Sequence, residues 1–407
     1  MKTFMERKLK EAREHLGKGD FAGDEDALAC IEKLIFRDPD AARFTVTELE
    51  EAVHKIFHKT RSRLGILQPL MEDPQVTEIM VNGPFHIFME REGRLQRCHM
   101  SFDSVEELEE IMRSIAAQVH REINELQPIV DARLPDGSRV SGVYKNVAVN
   151  GPVLTIRRFS SSYMTMHSLI EGSAITHMGA SLMECLTACG YNIFVSGGTS
   201  SGKTTFLNAL ADYIPPAERI IIVEDSSELK LSNVENIVHM ECRSANTMGR
   251  GQVTMAQLIK ASLRMRPDRI IVGEVRGEEV MDMLQAMNTG HSGMSTGHGN
   301  SVRGMLQRLE TLYMMAMSLD MEAVRSQISS ALDIMVHLER MDDGMRRVVE
   351  ICEIAGYEKG QYVLNPLMIR DENGIFRKTE NLLMQQRKAE LKGGKHVCRL
   401  REMGFIL

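Results

Sequence analysis

Residues 197–204 read Gly-Gly-Thr-Ser-Ser-Gly-Lys-Thr, directly after the apolar run Ile193-Phe194-Val195 and just before the helix-favouring stretch Thr205-Phe206-Leu207-Asn208-Ala209-Leu210. This is the pattern G-x-x-x-x-G-K-[ST], and it commits the chain to a strand, a tight loop and a helix in that order. Small residues let successive backbone N–H groups curl round a phosphate chain while the helix presents the positive end of its dipole. Gly197 and Gly202 supply the tight backbone, and Gly198, Thr199, Ser200, Ser201 and Thr205 complete the expected nucleotide-binding set. Lys203 is placed to reach the β- and γ-phosphates as a point charge, and the Thr204 hydroxyl to take one position on Mg²⁺. The motif therefore predicts ATP as ligand, with Mg²⁺ accompanying it.

At 407 residues the chain is long for one core, so two or three domains are expected. Its net charge of −7 is spread over both halves and leaves no basic stripe, which argues against direct binding of nucleic acid. The start, Met1-Lys2-Thr3-Phe4-Met5-Glu6-Arg7-Lys8, is charged and lacks the apolar core of a secretory signal. Nowhere do about eighteen apolar residues run together, so a soluble, cytoplasmic protein is expected. Seven cysteines are scattered, with only Cys185 and Cys189 close together, and this spacing indicates neither a disulfide framework nor a zinc site. The 30 methionines, with a cluster at Met314, Met315 and Met317, are read as core filling.

Along the chain, residues 1–60 read as a helical extension, with Leu49, Ala52, Val53, Ile56 and Phe57 at helical spacing. Residues 61–160 read as an α+β domain. Its expected strands are Ile79–Val81, His86–Met89 and one after the Glu92-Gly93 turn, then a helix over Val105–Val119, a hairpin about Pro135-Asp136-Gly137, and a strand at Val153–Ile156. Residues 161–173 lack a period and read as a linker. From 174 to 407, apolar runs at Ile193–Val195, Ile220–Val223, Ile270–Val272, Ile334–Leu338 and Val348–Ile354 alternate with helical stretches, which predicts a mostly parallel sheet covered by helices. The tail from Asp371, with its basic stretch Arg387–Lys395, reads as solvated helices.

Three further segments carry chemistry. The strand Arg219–Val223 ends in Glu224-Asp225, with Glu228 close behind, and carboxylates beyond the carboxyl end of a strand suit Mg²⁺ or water. The strand Arg269–Val272 runs into Gly273-Glu274, and Glu274 is the candidate for orienting an attacking water. Gly273 stands where ATPases more often carry an aspartate, so metal coordination leans on Thr204, waters and Glu224. The third segment, Thr289 to Asn300, holds His291 and His298 among dense glycines, which imply close backbone approach to nucleotide or to another strand.

The phosphate loop, the acidic strand end, Val272-Gly273-Glu274 and the paired histidines, in this order, resemble the secretion-ATPase family of type II and type IV secretion and type IV pilus assembly. Within it, Met287–His291, Arg308–Thr311, Thr77–Pro84, Val130–Val140 and Leu154–Phe159 resemble the CpaF branch of Tad (type IVc) pilus ATPases. The resemblance implies a PAS-like N-terminal domain followed by a RecA-like P-loop motor, six copies forming a ring, and catalytic roles for Lys203, Glu224, Glu228, Glu274, His291 and His298. It also implies that N-terminal-domain arginines reach the phosphates, here Arg139 and Arg157, with Arg133 a further candidate. Two positions depart from the family text: Ser200 replaces a usual glycine, and His298 lies in Gly297-His298-Gly299-Asn300 where an apolar residue and alanine are more usual.

These readings predict an Mg²⁺-dependent hexameric ATPase at the inner face of the cytoplasmic membrane. Hydrolysis would drive inter-domain motion that an inner-membrane platform protein converts into pilus assembly or secretion, membrane association coming through that partner. The alternatives are a type IV secretion or conjugation ATPase of the same family, a nucleic-acid motor on the same core, and a ring that switches on ATP with little hydrolysis.

Overall fold

The computed structural model describes residues 2–18, 23–62, 64–91, 93–119, 121–158, 164–243, 245, 249–392 and 394–407. Met1, Glu92, Phe159, and residues 161–163 of the expected linker lie outside the described residues. The chain divides into two compact units, Met1–Ser161 and Ser162–Leu407.

The first unit opens with three helices, α1 (Lys2–Lys18), α2 (Asp24–Phe36) and α3 (Val46–Arg61). Thr45 and Glu48 form a reciprocal capping box that starts α3 and satisfies amides the helix cannot pair itself. Its apolar stripe, Leu49, Ala52, Val53 and Ile56, is buried with Phe4, Ala12, Ile31 and Ile35, so the extension has a core of its own. Lys59 bonds Glu107 at 2.7 Å, and Lys55 bonds Asp103 at 3.1 Å, joining α3 to the α+β part. There a short α4 (Gln68–Glu72) precedes β1 (Val76–Asn82), β2 (Ile87–Arg91), β3 (Arg94–Arg97), α5 (Val105–Gln118), β4 (Ile129–Arg133), β5 (Arg139–Val143) and β6 (Val153–Arg157). The sheet is antiparallel in the order β3-β2-β1-β6-β5-β4. One face buries Ile79, Val81, Val140, Leu154 and Ile156 together with Leu108, Met112 and Ile115 of α5.

The second unit begins earlier than its expected start at 174. Thr165 caps a helix, α6 (Met166–Glu171), whose Met166 and Leu169 are buried in the core of this unit, so this part of the expected linker is packed structure. The sequence missed it because six residues are too few to display a helical period. Then follow α7 (His177–Ala188), β7 (Ile193–Gly197), α8 (Lys203–Ala211), β8 (Ile220–Glu224), β9 (Ile237–Glu241), α9 (Met255–Ser262), β10 (Arg269–Val272), α10 (Glu279–Asn288) and β11 (Ser292–His298). The remainder is α11 (Val302–Ala316), α12 (Met321–Ala331), β12 (Ile334–Arg340), β13 (Arg346–Glu358), β14 (Gln361–Arg370), β15 (Phe376–Lys378), α13 (Arg387–Lys392) and α14 (Gly394–Glu402).

Among the described residues its strands lie in the order β15-β14-β13-β12-β7-β11-β10-β8-β9, with β12 to β9 parallel and β13 to β15 antiparallel. Every residue of β7, β8 and β10 is buried, as expected for strands covered on both faces. Separate apolar cores fill the two faces. Parallel pairing sends the carboxyl ends of β7, β8, β10 and β11 to one edge, which brings Gly197, Glu224, Glu274 and His298 together from distant sequence. The tail differs from its expected solvated state: Leu383, Ala389, Leu400, Phe405 and Ile406 are buried in the core.

Candidate active site

β7 delivers the phosphate loop. A Cβ on Gly197 would lie 2.4 Å from the Leu338 carbonyl oxygen and 2.5 Å from Ser201 Oγ, so only glycine fits where β12 and the loop close on the strand end. Gly202 has φ +90° and begins α8, whose first turn has no side-chain cap. Uncapped N–H groups at a helix start are an anion site. The ammonium of Lys203 is buried, donating 2.8 Å to the Gly198 carbonyl oxygen and lying 3.3 Å from His298 Nδ1. A Cβ on Gly198 would meet nothing within 4 Å, so the loop stays open beside that cation. Open amides, a buried cation and a half-buried Thr204 in the first helical turn fit a phosphate chain with a metal at its side. Among the described residues, no group of three His, Cys, Asp or Glu could hold a metal by itself.

Glu274 follows β10 and is largely buried. Its Oε2 accepts from Arg276 Nη2 at 2.9 Å, and its Oε1 lies 2.9 Å from His298 Nε2, a close contact without aligned hydrogen-bond geometry. Burial pushes its carboxyl up, but the Arg276 hydrogen bond and the charges of Arg276, His298 and Lys203 outweigh it and hold the group below the ordinary carboxylate range. Burial likewise lowers His298, against the pull of Glu274, and so favours the neutral ring. One continuous line of polar groups thus runs Gly198, Lys203, His298, Glu274, Arg276. His298 acquires its place because it pairs with Gly197 in the β11–β7 register.

Two further expected members have other partners. His291 precedes β11, whose seven residues separate it from His298 by roughly 20 Å. Its Nδ1 lies 3.3 Å from the Ala286 carbonyl oxygen, and it closes the end of α10 rather than joining the phosphate loop. Glu224 lies at the correct sheet edge, yet its carboxylate accepts the amides of Glu228 at 2.9 Å and Leu229 at 3.1 Å. It organises the loop after β8 and fixes Glu228 beside it. A Cβ at Gly273 would come within 2.9 Å of Glu224 Cγ, which explains why no aspartate precedes Glu274. In the first unit, register aligns Arg133 with Arg139, Arg139 with Arg157, and Arg157 with Glu78 across four strands.

Sequence reasoning passed over Arg276, although its position two residues beyond Glu274 was a usable signal. It also passed over His337, a buried ring of β12 whose Nδ1 lies 2.8 Å from Ser196 Oγ at the base of the phosphate loop. Nothing local marks that residue, since only the β12–β7 register brings it there.

Residues 60–388 match the family model described as "Type II/IV secretion system protein". The chain belongs to this family. It is 35% identical over 314 residues to the conjugal transfer protein TrbB of Rhizobium radiobacter, spanning 76% of this chain and 93% of that one. It is 32% identical over 315 residues to the type IV secretion system protein PtlH of Bordetella pertussis, covering 71% of this chain and 93% of the relative. Among solved structures, the fold is similar to the ATPase DotB of Yersinia pseudotuberculosis, with TM-score 0.53 and 16% identity over 85% of this chain and 86% of that one. It is also similar to the pilus retraction motor PilT with bound ADP, with TM-score 0.52 and 19% identity over 83% and 89% of the two chains. The family member thus shares an α/β motor fold with ATPases. Among the described residues no helix is long and apolar enough to cross a membrane.

Proposed function

We propose that this family member is an Mg²⁺-dependent ATPase that acts as a ring of six copies on the cytoplasmic side of a membrane-bound export machine. The observation that carries the reading is the line from Lys203 through His298 to Glu274 and Arg276 beside an open phosphate loop. Lys203 would hold the β- and γ-phosphates while the α8 amides and Gly198 shape the cradle. Glu274, kept ionised by Arg276, orients the attacking water and accepts its proton. His298 touches both groups, so phosphate that draws Lys203 away also changes what faces Glu274. Mg²⁺, held from Thr204 and water, would neutralise charge on the phosphates.

The test is phosphate release and Mg-ATP binding by the full chain. Lys203→Ala should lose binding, whereas Glu274→Gln should bind Mg-ATP and hydrolyse it at least about 100-fold more slowly. Wild-type turnover in Glu274→Gln would remove the site assignment.

For the machine served, the printed names of TrbB and PtlH support conjugation or type IV secretion. The residue-level likeness to the CpaF branch supports a Tad pilus, and an inner-membrane platform protein is the partner in that case. Deleting the gene separates them: loss of DNA transfer or secretion with pili intact favours the first, and loss of surface pili the second.

A further inference from the structure

Arg346 reaches the phosphate loop from 146 residues away, its Nε donating to the Ser200 carbonyl oxygen at 2.8 Å. Its stem covers the next turn of the same loop, with Cδ 3.3 Å and Cβ 3.7 Å from where a Cβ on Gly202 would sit. Ser200 and Gly202 are the left-handed residues of this loop, at φ +58° and +90°. Glycine adopts that conformation freely, whereas serine is disfavoured there by its Cβ. One arginine side chain therefore touches both, and one of the two is strained.

The element carrying Arg346 is itself held firm. Met341 N donates to the Met345 carbonyl oxygen and Gly344 N to that of Met341, both at 2.8 Å, closing the β12–β13 turn. Arg347 pairs with Asp343 at 2.6 Å across the same turn, and Arg346 pairs with Arg340 in the ladder. A hydrogen bond from this hairpin opposes rotation of the Ser200 peptide into an ordinary conformation. A loop already shaped for phosphate avoids the ordering cost of shaping it during binding.

We infer that Arg346 is a positioning residue: it holds the Ser200 peptide left-handed and so keeps the phosphate-binding amides aimed before nucleotide arrives. The inference rests on the nucleotide reading of the loop. It makes the requirement for Arg346 conditional on the serine, since glycine at position 200 needs no such support.

A double-mutant cycle tests this, with Mg-ADP affinity measured by calorimetry on the full-length wild type, Arg346→Ala, Ser200→Gly and the double variant. Arg346→Ala should weaken Mg-ADP about five- to tenfold, and Ser200→Gly should tighten it about two- to fivefold. The double variant should lie within about twofold of Ser200→Gly alone. Arg346→Lys should recover part of the loss, because an ammonium can donate to the same carbonyl without the fixed plane of the guanidinium. In steady-state assays the Arg346→Ala KM for ATP should rise far more than its kcat falls. Equal losses in the serine and glycine backgrounds, or no loss in Arg346→Ala, would overturn the inference while leaving the nucleotide site intact. A wild type that binds no Mg-ADP would instead remove the nucleotide reading, and this inference with it.

Discussion

Opposing effects meet at the Glu274 carboxyl. Burial favours its neutral form, while the Arg276 hydrogen bond and the charges of Arg276, His298 and Lys203 favour the ionised one and prevail. An ionised Glu274 can accept a proton at neutral pH, so activity should stay independent of this group until the medium falls through its depressed titration range. Removing Arg276 leaves burial with less opposition and must raise that titration. Arg276→Ala should therefore move the acid limb of the kcat/KM profile toward neutral pH, and Arg276→Lys should restore part of the difference. A limb that stays in place in Arg276→Ala would show that Arg276 does not tune Glu274. At this scale the sequence was readable wherever a residue's place in the fold follows from its neighbours. Lys203 and Glu274 announce themselves by a glycine loop and a strand end, whereas His291 and His298 look alike in sequence and are told apart only by the strand that separates them.

That strand, β11, shows where reading by element runs out. Ser292–His298 holds two glycines, a residue depleted in strands, yet most of it is buried between β7 and β10. Dense glycine was expected to mark approach to nucleotide or another strand, and the approach is to the side chains of Phe194 and Met305. A Cβ on Gly297 would meet Phe194 Cζ at 2.8 Å and Met305 Cε at 2.9 Å, while one on Gly299 would meet Met305 Cβ at 2.9 Å and its Cα at 3.2 Å. The far end of a methionine can swing aside, but Cα and Cβ of a helix residue move only with α11. Gly299→Ala should accordingly destabilise the protein by about 1–3 kcal/mol, the usual cost of overpacking, and lower its melting temperature. A melting temperature equal to wild type would mean that α11 yields freely. Strands β7, β8, β10 and β12 were legible because continuous apolar runs admit few other readings. Gln361–Arg370 was not, since Pro366 and Asn365 interrupt its pattern and its pairing with β13 shifts register at Pro366.

Across the whole molecule, the sequence divided two kinds of architecture correctly in type but misjudged how much chain each one holds. Charge misled at the tail: Arg387–Lys395 reads as solvated, yet the apolar residues around it complete the core of the second unit, and its polar groups serve buried carboxylates. Glu353 is fully buried and accepts the amides of Met384 at 2.9 Å and Gln385 at 2.7 Å. Asp333, also buried, pairs with Lys388 and accepts the Asn192 amide at 2.6 Å. Arg399 pairs with Glu184 of α7 at 2.7 Å. A chain cut after residue 379 would expose apolar core and leave Glu353 short of the Met384 and Gln385 amides. Stranding a buried charge typically costs about 3–5 kcal/mol. In a body of this size each kcal/mol lowers the melting temperature by about 2–4 °C, so the truncated protein should melt at least about 10 °C lower or aggregate. Lys388→Ala alone should cost much less, because burial already raises the Asp333 carboxyl and lets it neutralise itself when its cation is gone. Calorimetry on the two variants separates the cases: a truncated chain that melts within a degree or two of the full one would restore the solvated reading, and a large loss confined to truncation establishes the tail as the last layer of the motor core.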